Sequence, residues 1–136
     1  FAAYGSNFLT GLLGELEEQK ELSKSNQKIE CPLHASDGAR VISGIIDQIS
    51  ASANQVGIYH YCGSEAVSGY EFSKAVVSLL LKFKFNKSGI TLRPAEDNET
   101  LNFNLDCGKI QNSFGIRQIP WKQSLSEAVK NYYSER

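Results

Sequence analysis

The sequence has no methionine and little cysteine: Cys31, Cys62 and Cys107 are the three thiols among 136 residues. They form no CxxC pair and are too few for a disulfide framework, so neither a disulfide scaffold nor a zinc site is predicted. The sequence permits Cys31 and Cys62 to lie close to one another. The favoured interpretation, however, is that the cysteines are buried free thiols in a reducing cytosol. The longest apolar run, 76–81, is interrupted by Ser78 and is too short to span a bilayer.

A large net charge is also missing, since the formal charge at pH 7 is -1. No cluster of lysine and arginine with interleaved aromatic residues is present, which argues against nucleic acid and against an anionic membrane as partners. A content of 41% hydrophobic and 21% charged residues is typical of a globular chain. The first residues, 1–4, contain neither an initiator methionine nor a basic segment, and we expect the chain to be a piece of a longer protein.

Helical spacing of apolar residues dominates what is present. Asn7 is a capping residue ahead of Leu9, Leu12, Leu13 and Leu16, and Ser68 with Glu71 has the spacing of a capping box. Five helices are predicted, beginning after Asn7, at Ser36 or Asp37, after Ser68, after Asp106 and at Pro120. The apolar stripe of the second helix is wide enough to be buried on more than one side. Its members are Ala39, Val41, Ile42, Ile45, Ile46 and Ile49.

Strand signals are fewer. The segment 57–62 alternates and is rich in β-branched and aromatic residues, which predicts a strand. A short strand is predicted at 90–92, ending before Pro94, and the polar stretch 22–30 contains no clear strand signal. The expected class is α+β, with about five helices and two or three short strands.

Candidate catalytic groups lack the context that their chemistry needs. Tyr70 and Lys74 match the YxxxK spacing in which a lysine lowers the pKa of a tyrosine that exchanges a proton with substrate. No glycine-rich turn precedes them to hold a dinucleotide, because Gly11 and Gly14 lie inside an apolar helix. Tyr70 and Lys74 are therefore interpreted as structural, as are His34 and His60. No catalytic, cofactor-binding or metal-binding residue is predicted in this chain.

Four segments, in order, resemble the dTDP-4-dehydrorhamnose reductases, which are extended short-chain dehydrogenases/reductases. Residues 1–9 (FAAYGSNFL) are similar to the family's YGxNF pattern, and 31–42 (CPLHASDGARVI) to CPTxxxDxARVI. Residues 57–63 (GIYHYCG), followed by 70–72 (YEF), resemble GxYHxxG…YEFA. Residues 105–125 resemble LDCxKIxxxFGI…WxxxL. The resemblance covers nearly all of the chain.

This resemblance implies that residues 1–136 are the C-terminal, substrate-binding part of a cytoplasmic reductase. The N-terminal Rossmann domain, with the cofactor site for NADPH or NADH and the true YxxxK, is expected to lie outside this chain. The substrate implied is a nucleotide-activated 4-keto-sugar. The chain alone is expected to be inactive, to bind neither cofactor, and to associate with the missing domain or with copies of itself. A homo-oligomer fits the resemblance.

The resemblance carries three residues over to the sugar-nucleotide cleft: Asn7, Gln27 and Pro32. The surrounding pattern DQxGxPT is distorted, because Glu30 stands where the family has glycine and Leu33 where it has threonine. The family's RPxNSxL has no arginine or proline in 99–105. Two alternatives therefore stay open: a non-catalytic regulatory protein similar to the regulatory subunit of methionine adenosyltransferase, and an independent small binding domain.

Overall fold

Five helices and five short strands form the part of the chain that the computed structural model describes, residues 1–51, 55–85, 89–97 and 99–134. The helices are α1 (Phe8–Glu18), α2 (Ala35–Ser50), α3 (Gly69–Lys82), α4 (Gly108–Phe114) and α5 (Trp121–Ser134). The strands are β1 (Glu21–Ser25), β2 (Lys28–Glu30), β3 (Val67–Ser68), β4 (Thr91–Ala95) and β5 (Leu101–Asn102). The expected α+β class is confirmed.

The helix boundaries follow the capping signals in the sequence. Asn7 caps α1 in a complete capping box with Thr10. The Ser68 hydroxyl accepts from the Glu71 N–H at 3.1 Å at the start of α3. Gly115 ends α4 with a φ of 65°, the left-handed conformation that glycine adopts without steric cost. Helix α2 begins earlier than Ser36 because His34 serves as its cap.

The strands form two small sheets. In the first, β1 pairs in parallel with β4, with Glu21 opposite Thr91. In the second, β2 lies between antiparallel β3 and parallel β5. The strand predicted at 90–92 is present, but it runs through Pro94 to Ala95 instead of ending before the proline. Among the described strands, β4 pairs with β1 alone, and proline is tolerated at the edge of a sheet.

Two hydrophobic clusters hold the helices together. The larger cluster joins α1, α3 and α5, and Phe72 of α3 is almost completely buried in it. The smaller cluster surrounds α4 and consists of Val41, Cys62, Cys107, Ile110 and Phe114. In the described ranges, no helix combines the length and apolar character needed to cross a membrane.

The strand predicted at 57–62 is absent, and the prediction was wrong for a physical reason. No strand in the described residues pairs with this segment, so it has no backbone ladder. Hydrogen bonds that involve side chains hold the segment in place instead. The Lys109 ammonium donates to the Ile58 carbonyl at 2.9 Å, and the hydroxyl of Tyr61, within the segment, donates to the Arg117 carbonyl at 3.2 Å. The segment 57–62 therefore has the sequence pattern of a strand, but it lies on the surface with no neighbouring strand among the described residues.

Helix α2 has an apolar stripe that is mostly exposed in this chain. Val41 is the one buried residue that the helix contributes to the core. Ile42, Ile46 and Ile49 each expose at least half of their surface, and Val56 and Ile58 beyond the helix expose more. These five residues are called the isoleucine face below. The width of the stripe predicts burial on more than one side, with a cover outside this chain, and nothing in the described ranges covers that face.

Candidate functional site

A cavity of about 160 Å³ opens between the N-terminal segment, β2 and the start of α3. Its lining is mainly apolar and aromatic. The lining residues are Phe1, Phe8, Glu30, Pro32, Val67, Ser68, Gly69 and Phe72. Pockets that bury a drug-sized ligand usually enclose roughly 300–1,000 Å³. The cavity is therefore suited to hold part of a nucleotide-sized ligand and not the whole of it.

Three phenylalanines form one wall of this cavity. The Phe72 ring meets the Phe1 ring edge-on with centroids 5.6 Å apart, and the Phe8 ring at 5.2 Å. Phe72 is anchored from behind by Trp121, whose ring centroid lies 5.0 Å away. Such edge-to-face contacts fix ring orientation and leave a rigid apolar surface. The wall can therefore pack against the flat face of a base or the apolar face of a sugar ring.

The polar groups of the lining are already engaged within the protein. The buried Ser68 hydroxyl donates to Asn26 Oδ1 at 3.2 Å while it caps α3. The Glu30 carboxylate forms an ion pair with Lys28 at 2.8 Å, and the hydrogen bond in this pair raises the pKa of Lys28. Glu30 is the residue that replaces the family's glycine, and its charge at the cavity is balanced by the neighbouring lysine.

Pro32 is held in the cavity lining by very close packing against Gly63. A β-carbon added to Gly63 would lie 2.2 Å from the Pro32 carbonyl oxygen, which no real side chain permits. The Gly63 backbone is itself fixed, because Gln118 Nε2 donates to the Gly63 carbonyl at 3.0 Å. Sequence reasoning identified Pro32 but missed this glycine, whose only signal was its place at the end of GIYHYCG.

The three site residues taken from the resemblance are not gathered in one cavity. Pro32 lines it, whereas Asn7 and Gln27 do not. Asn7 Oδ1 accepts from the Leu9 and Thr10 N–H groups, and its Nδ2 donates to the Tyr4 carbonyl at 3.0 Å. Gln27 lies in the turn between β1 and β2, where its backbone carbonyl accepts from the Leu101 N–H at 3.2 Å.

The Tyr70–Lys74 pair has a geometry unlike that of a catalytic YxxxK. The Lys74 ammonium lies 3.2 Å from Glu71 Oε1 and 5.3 Å from the centroid of the Tyr70 ring. It therefore contacts the ring face and a carboxylate, which is a common surface arrangement. This geometry agrees with the structural interpretation of both residues.

We expect Tyr70→Phe and Lys74→Ala, each made in the full-length parent protein, to change turnover by no more than about twofold, since loss of a general acid costs roughly a hundredfold or more. Steady-state kinetics would measure this. The matched control is the same pair of changes at the YxxxK expected upstream. A hundredfold loss at Tyr70 with unchanged thermal melting would show that Tyr70 is catalytic.

His34 is a structural cap that depends on its protonation state. Its Nδ1 accepts from the Ser36 N–H at 3.3 Å and lies 2.6 Å from the Ser36 hydroxyl oxygen. Burial lowers the pKa of His34, with Asp37 opposing this effect. A folded-state pKa below the unfolded one means that the cap's contribution is present above the unfolded value and is lost as pH falls through the folded value.

Acidification from about pH 7 to pH 5 should therefore destabilise the protein through His34. His34→Asn keeps a capping oxygen without titration and should lose less stability over the same interval. His34→Ala should cost about 1 kcal/mol at neutral pH, the usual value of a helix cap. Urea unfolding of the three proteins at both pH values is the measurement. Equal pH dependence for wild type and His34→Asn would contradict this role.

The described residues do not form the glycine-rich turn of a dinucleotide-binding site. Binding of a pyrophosphate in the usual manner needs a glycine-rich turn between a strand and a helix N-terminus. Gly11 and Gly14 lie within α1, and the other described glycines form no such turn. Across the described ranges, no group of three or more histidine, cysteine or acidic residues is placed to hold a metal ion.

A sequence model of the RmlD substrate binding domain matches residues 1–134 of this chain. The chain belongs to this family. The dTDP-4-dehydrorhamnose reductase of Sinorhizobium fredii is 28% identical over 136 residues, with 95% of this chain and 46% of the relative covered. The corresponding protein of Aggregatibacter actinomycetemcomitans is 30% identical over 133 residues, covering 92% and 45%. The resemblance read from the four segments is thereby confirmed.

The chain is also similar, more weakly, to the regulatory subunit of methionine adenosyltransferase. Methionine adenosyltransferase 2 subunit beta of Mus musculus is 27% identical over 105 residues, which cover 72% of this chain and 30% of that protein. The shorter match does not favour the regulatory alternative.

Solved structures show the same fold. A dTDP-4-dehydrorhamnose reductase from Clostridium acetobutylicum superposes with a TM-score of 0.76 at 20% identity, covering 93% of this chain and 44% of that one. One from Bacillus anthracis, in complex with NADP, gives 0.64 at 20% identity, covering 99% and 45%. This RmlD-family chain thus spans somewhat less than half the length of these dTDP-4-dehydrorhamnose reductases and of the two solved structures.

Proposed function

We propose that this chain is the substrate-binding part of an NAD(P)H-dependent reductase that acts on a nucleotide-activated 4-keto-sugar. The observation that carries the proposal is the match of residues 1–134 to the RmlD substrate binding domain. The aromatic cavity supports it, because a rigid apolar wall of limited volume suits one part of an extended nucleotide-sugar. The parent enzyme is proposed to be cytoplasmic.

Within this part, each site residue is given a distinct role. Pro32, fixed by Gly63, and the phenylalanine wall contact the ligand directly. Gln27, which lies outside the cavity in the β1–β2 turn, is proposed to contact a part of the ligand that extends beyond it. Asn7 acts through its hydrogen bonds, which hold 2–5 and the start of α1 so that Phe8 reaches the wall. Asn7 is therefore proposed as a residue that shapes the cleft.

The reducing chemistry belongs to the portion of the parent protein outside this chain. A bound nicotinamide cofactor would supply the hydride that reduces the keto group, and the residues described here offer no site for it. The isoleucine face is proposed to pack against that portion, since interdomain contacts commonly bury several hundred Å² on each side. The chain alone is then a binding module without turnover.

Calorimetric titration of the 136-residue chain would test the binding half of this proposal. We expect no submillimolar affinity for NADPH or NADH, and measurable affinity for a dTDP-sugar that is reduced by Phe8→Ala. The exposed Phe103→Ala is a matched control, because Phe103 does not line the cavity. The parent protein should consume reduced cofactor with dTDP-4-dehydrorhamnose. Tight cofactor binding by the chain, or no reductase activity in the parent, would overturn the assignment.

A further inference from the structure

The three cysteines of this chain meet in one place although they lie far apart in the sequence. Cys62 follows the exposed 57–61 segment, and Cys107 is the N-cap of α4. Their sulfur atoms are 3.7 Å apart, and both residues are buried in the smaller hydrophobic cluster. Cys31, which precedes Pro32, is only partly buried, and its thiol donates to Asn104 Oδ1 at 3.1 Å. From the sequence, an approach of Cys31 to Cys62 was considered, but the contact of Cys107 with Cys62 was not predicted.

The three cysteines comprise one buried sulfur–sulfur contact, between Cys62 and Cys107, and one thiol that is accessible from solvent, that of Cys31. A separation of 3.7 Å is sulfur–sulfur contact, and a disulfide at about 2.05 Å needs a further approach of about 1.7 Å. Cys31 packs against the hydrophobic cluster that contains Cys62 and Cys107. Both of these residues add to its raised pKa, of which burial is the largest cause. Cys31 is also the most accessible thiol of the three. An oxidant from solvent therefore meets Cys31 first, with Cys62 behind it.

We propose that Cys62 and Cys107 form a reversible disulfide, and that Cys31 is the thiol through which a small disulfide oxidant reaches them. The cluster is thus a three-thiol relay built into the smaller hydrophobic cluster. All three thiols are free in the structure described, which is the reduced state of the relay. This inference does not depend on the proposed reductase function.

Each step of the relay is an ordinary thiol–disulfide exchange. The Cys31 thiolate attacks one sulfur of glutathione disulfide, forms a mixed disulfide and releases one glutathione as its thiol. Cys62, after losing its proton to solvent, attacks the Cys31 sulfur and displaces the second glutathione. Cys107 then attacks Cys62 and returns Cys31 as a thiol. Two protein thiols are oxidised in total, and one glutathione disulfide is reduced to two thiols.

The surroundings make this a slow reaction at neutral pH. Burial raises the pKa of Cys31 to about 11 and also raises the pKa of Cys107. The attacking species is the thiolate, whose fraction rises about tenfold for each pH unit below the pKa. The initial rate should therefore increase roughly tenfold from pH 7 to pH 8 and again from pH 8 to pH 9.

The test is incubation of the 136-residue chain with glutathione disulfide, followed by intact mass and peptide mapping. Trypsin places the three cysteines in separate peptides, because arginine or lysine lies between each pair. The expected product has lost two hydrogen atoms and yields the Cys62 and Cys107 peptides joined. A chain that keeps Cys62 and Cys107 reduced while Cys31 carries glutathione, or that forms only disulfides between chains, would overturn the proposal.

Three variants separate the steps. Cys31→Ala should form the same disulfide at least about tenfold more slowly, since the accessible attacking thiol is lost. Cys107→Ala should stop at a Cys31–Cys62 disulfide, and Cys62→Ala should stop at glutathione on Cys31. An unchanged rate for Cys31→Ala would refute the entrance role. If a variant at a buried cysteine fails to fold, peptide mapping of the wild-type chain still identifies the two cysteines that form the disulfide.

Discussion

Gly63→Ala is expected to destabilise the protein by about 3 kcal/mol or more, at the upper end of what overpacking usually costs. The new β-carbon would lie 2.2 Å from the Pro32 carbonyl oxygen and 3.3 Å from the Pro32 carbonyl carbon. Both are backbone atoms, so no rotamer change relieves the clash. Either Pro32 leaves its place in the cavity lining, or the segment around Gly63 shifts and loses its hydrogen bonds with Gln118. Urea unfolding would measure the effect.

The matched control is Gly44→Ala. Gly44 lies inside α2, and a β-carbon there would meet nothing within 4 Å. Alanine at such a helical position should stabilise the protein by roughly 0.5–1 kcal/mol. Nucleotide-sugar affinity in the parent protein should fall with Gly63→Ala and stay unchanged with Gly44→Ala. Near-wild-type stability of Gly63→Ala would show that Pro32 and Gly63 are not packed as described.

The helices could be predicted because their signals are local. The Asn7 cap and the apolar spacing that follows it lie within three turns of α1. Ser68 and Glu71 likewise define the start of α3 within four residues. A helix closes its hydrogen bonds within itself, and its boundaries therefore depend on few distant contacts.

The strands depend on partners that a sequence pattern does not reveal. Strands β1 and β2 lie in a polar stretch, yet they form because β4 and β5 supply hydrogen bonds about seventy residues later. The segment 57–62 has a better strand pattern and forms no strand in the described chain. Like the apolar stripe of α2, this segment has the sequence pattern of a buried element. The segment and the stripe nevertheless lie on the same exposed side of the molecule.

The candidate site was only partly accessible from sequence. Pro32, which lines the cavity, was predicted as a site residue from the resemblance because its motif is written in consecutive residues. The close approach of Gly63 to Pro32 is a tertiary contact across about thirty residues, and the meeting of Cys62 with Cys107 spans more. Asn7 was identified correctly as a cap from its local sequence, and the structure shows how fully that role occupies its side chain.

The isoleucine face leads to the second large expected effect, self-association of the isolated 136-residue chain. Ile42, Ile46 and Ile49 follow one line along α2, and Ile49 and Val56 border the same open groove. Monomeric proteins rarely expose a contiguous apolar patch of this kind unless it binds something. We expect sedimentation velocity to show dimers or larger species whose proportion rises with concentration. Such association would replace the contact that we propose between this face and a further portion of the parent protein.

Ile46→Lys should return the isolated chain to a monomer, because association would then bury an unpaired ammonium at the centre of the face. Ser43→Lys is the matched control: it adds the same charge at an exposed position of the same helix, to one side of the apolar line, and should leave association intact. In the parent protein, where we propose that this face is covered, Ile46→Lys should lower the melting temperature clearly more than Ser43→Lys. A wild-type chain that stays monomeric at high concentration, together with a parent indifferent to Ile46→Lys, would mean that this surface has no partner domain.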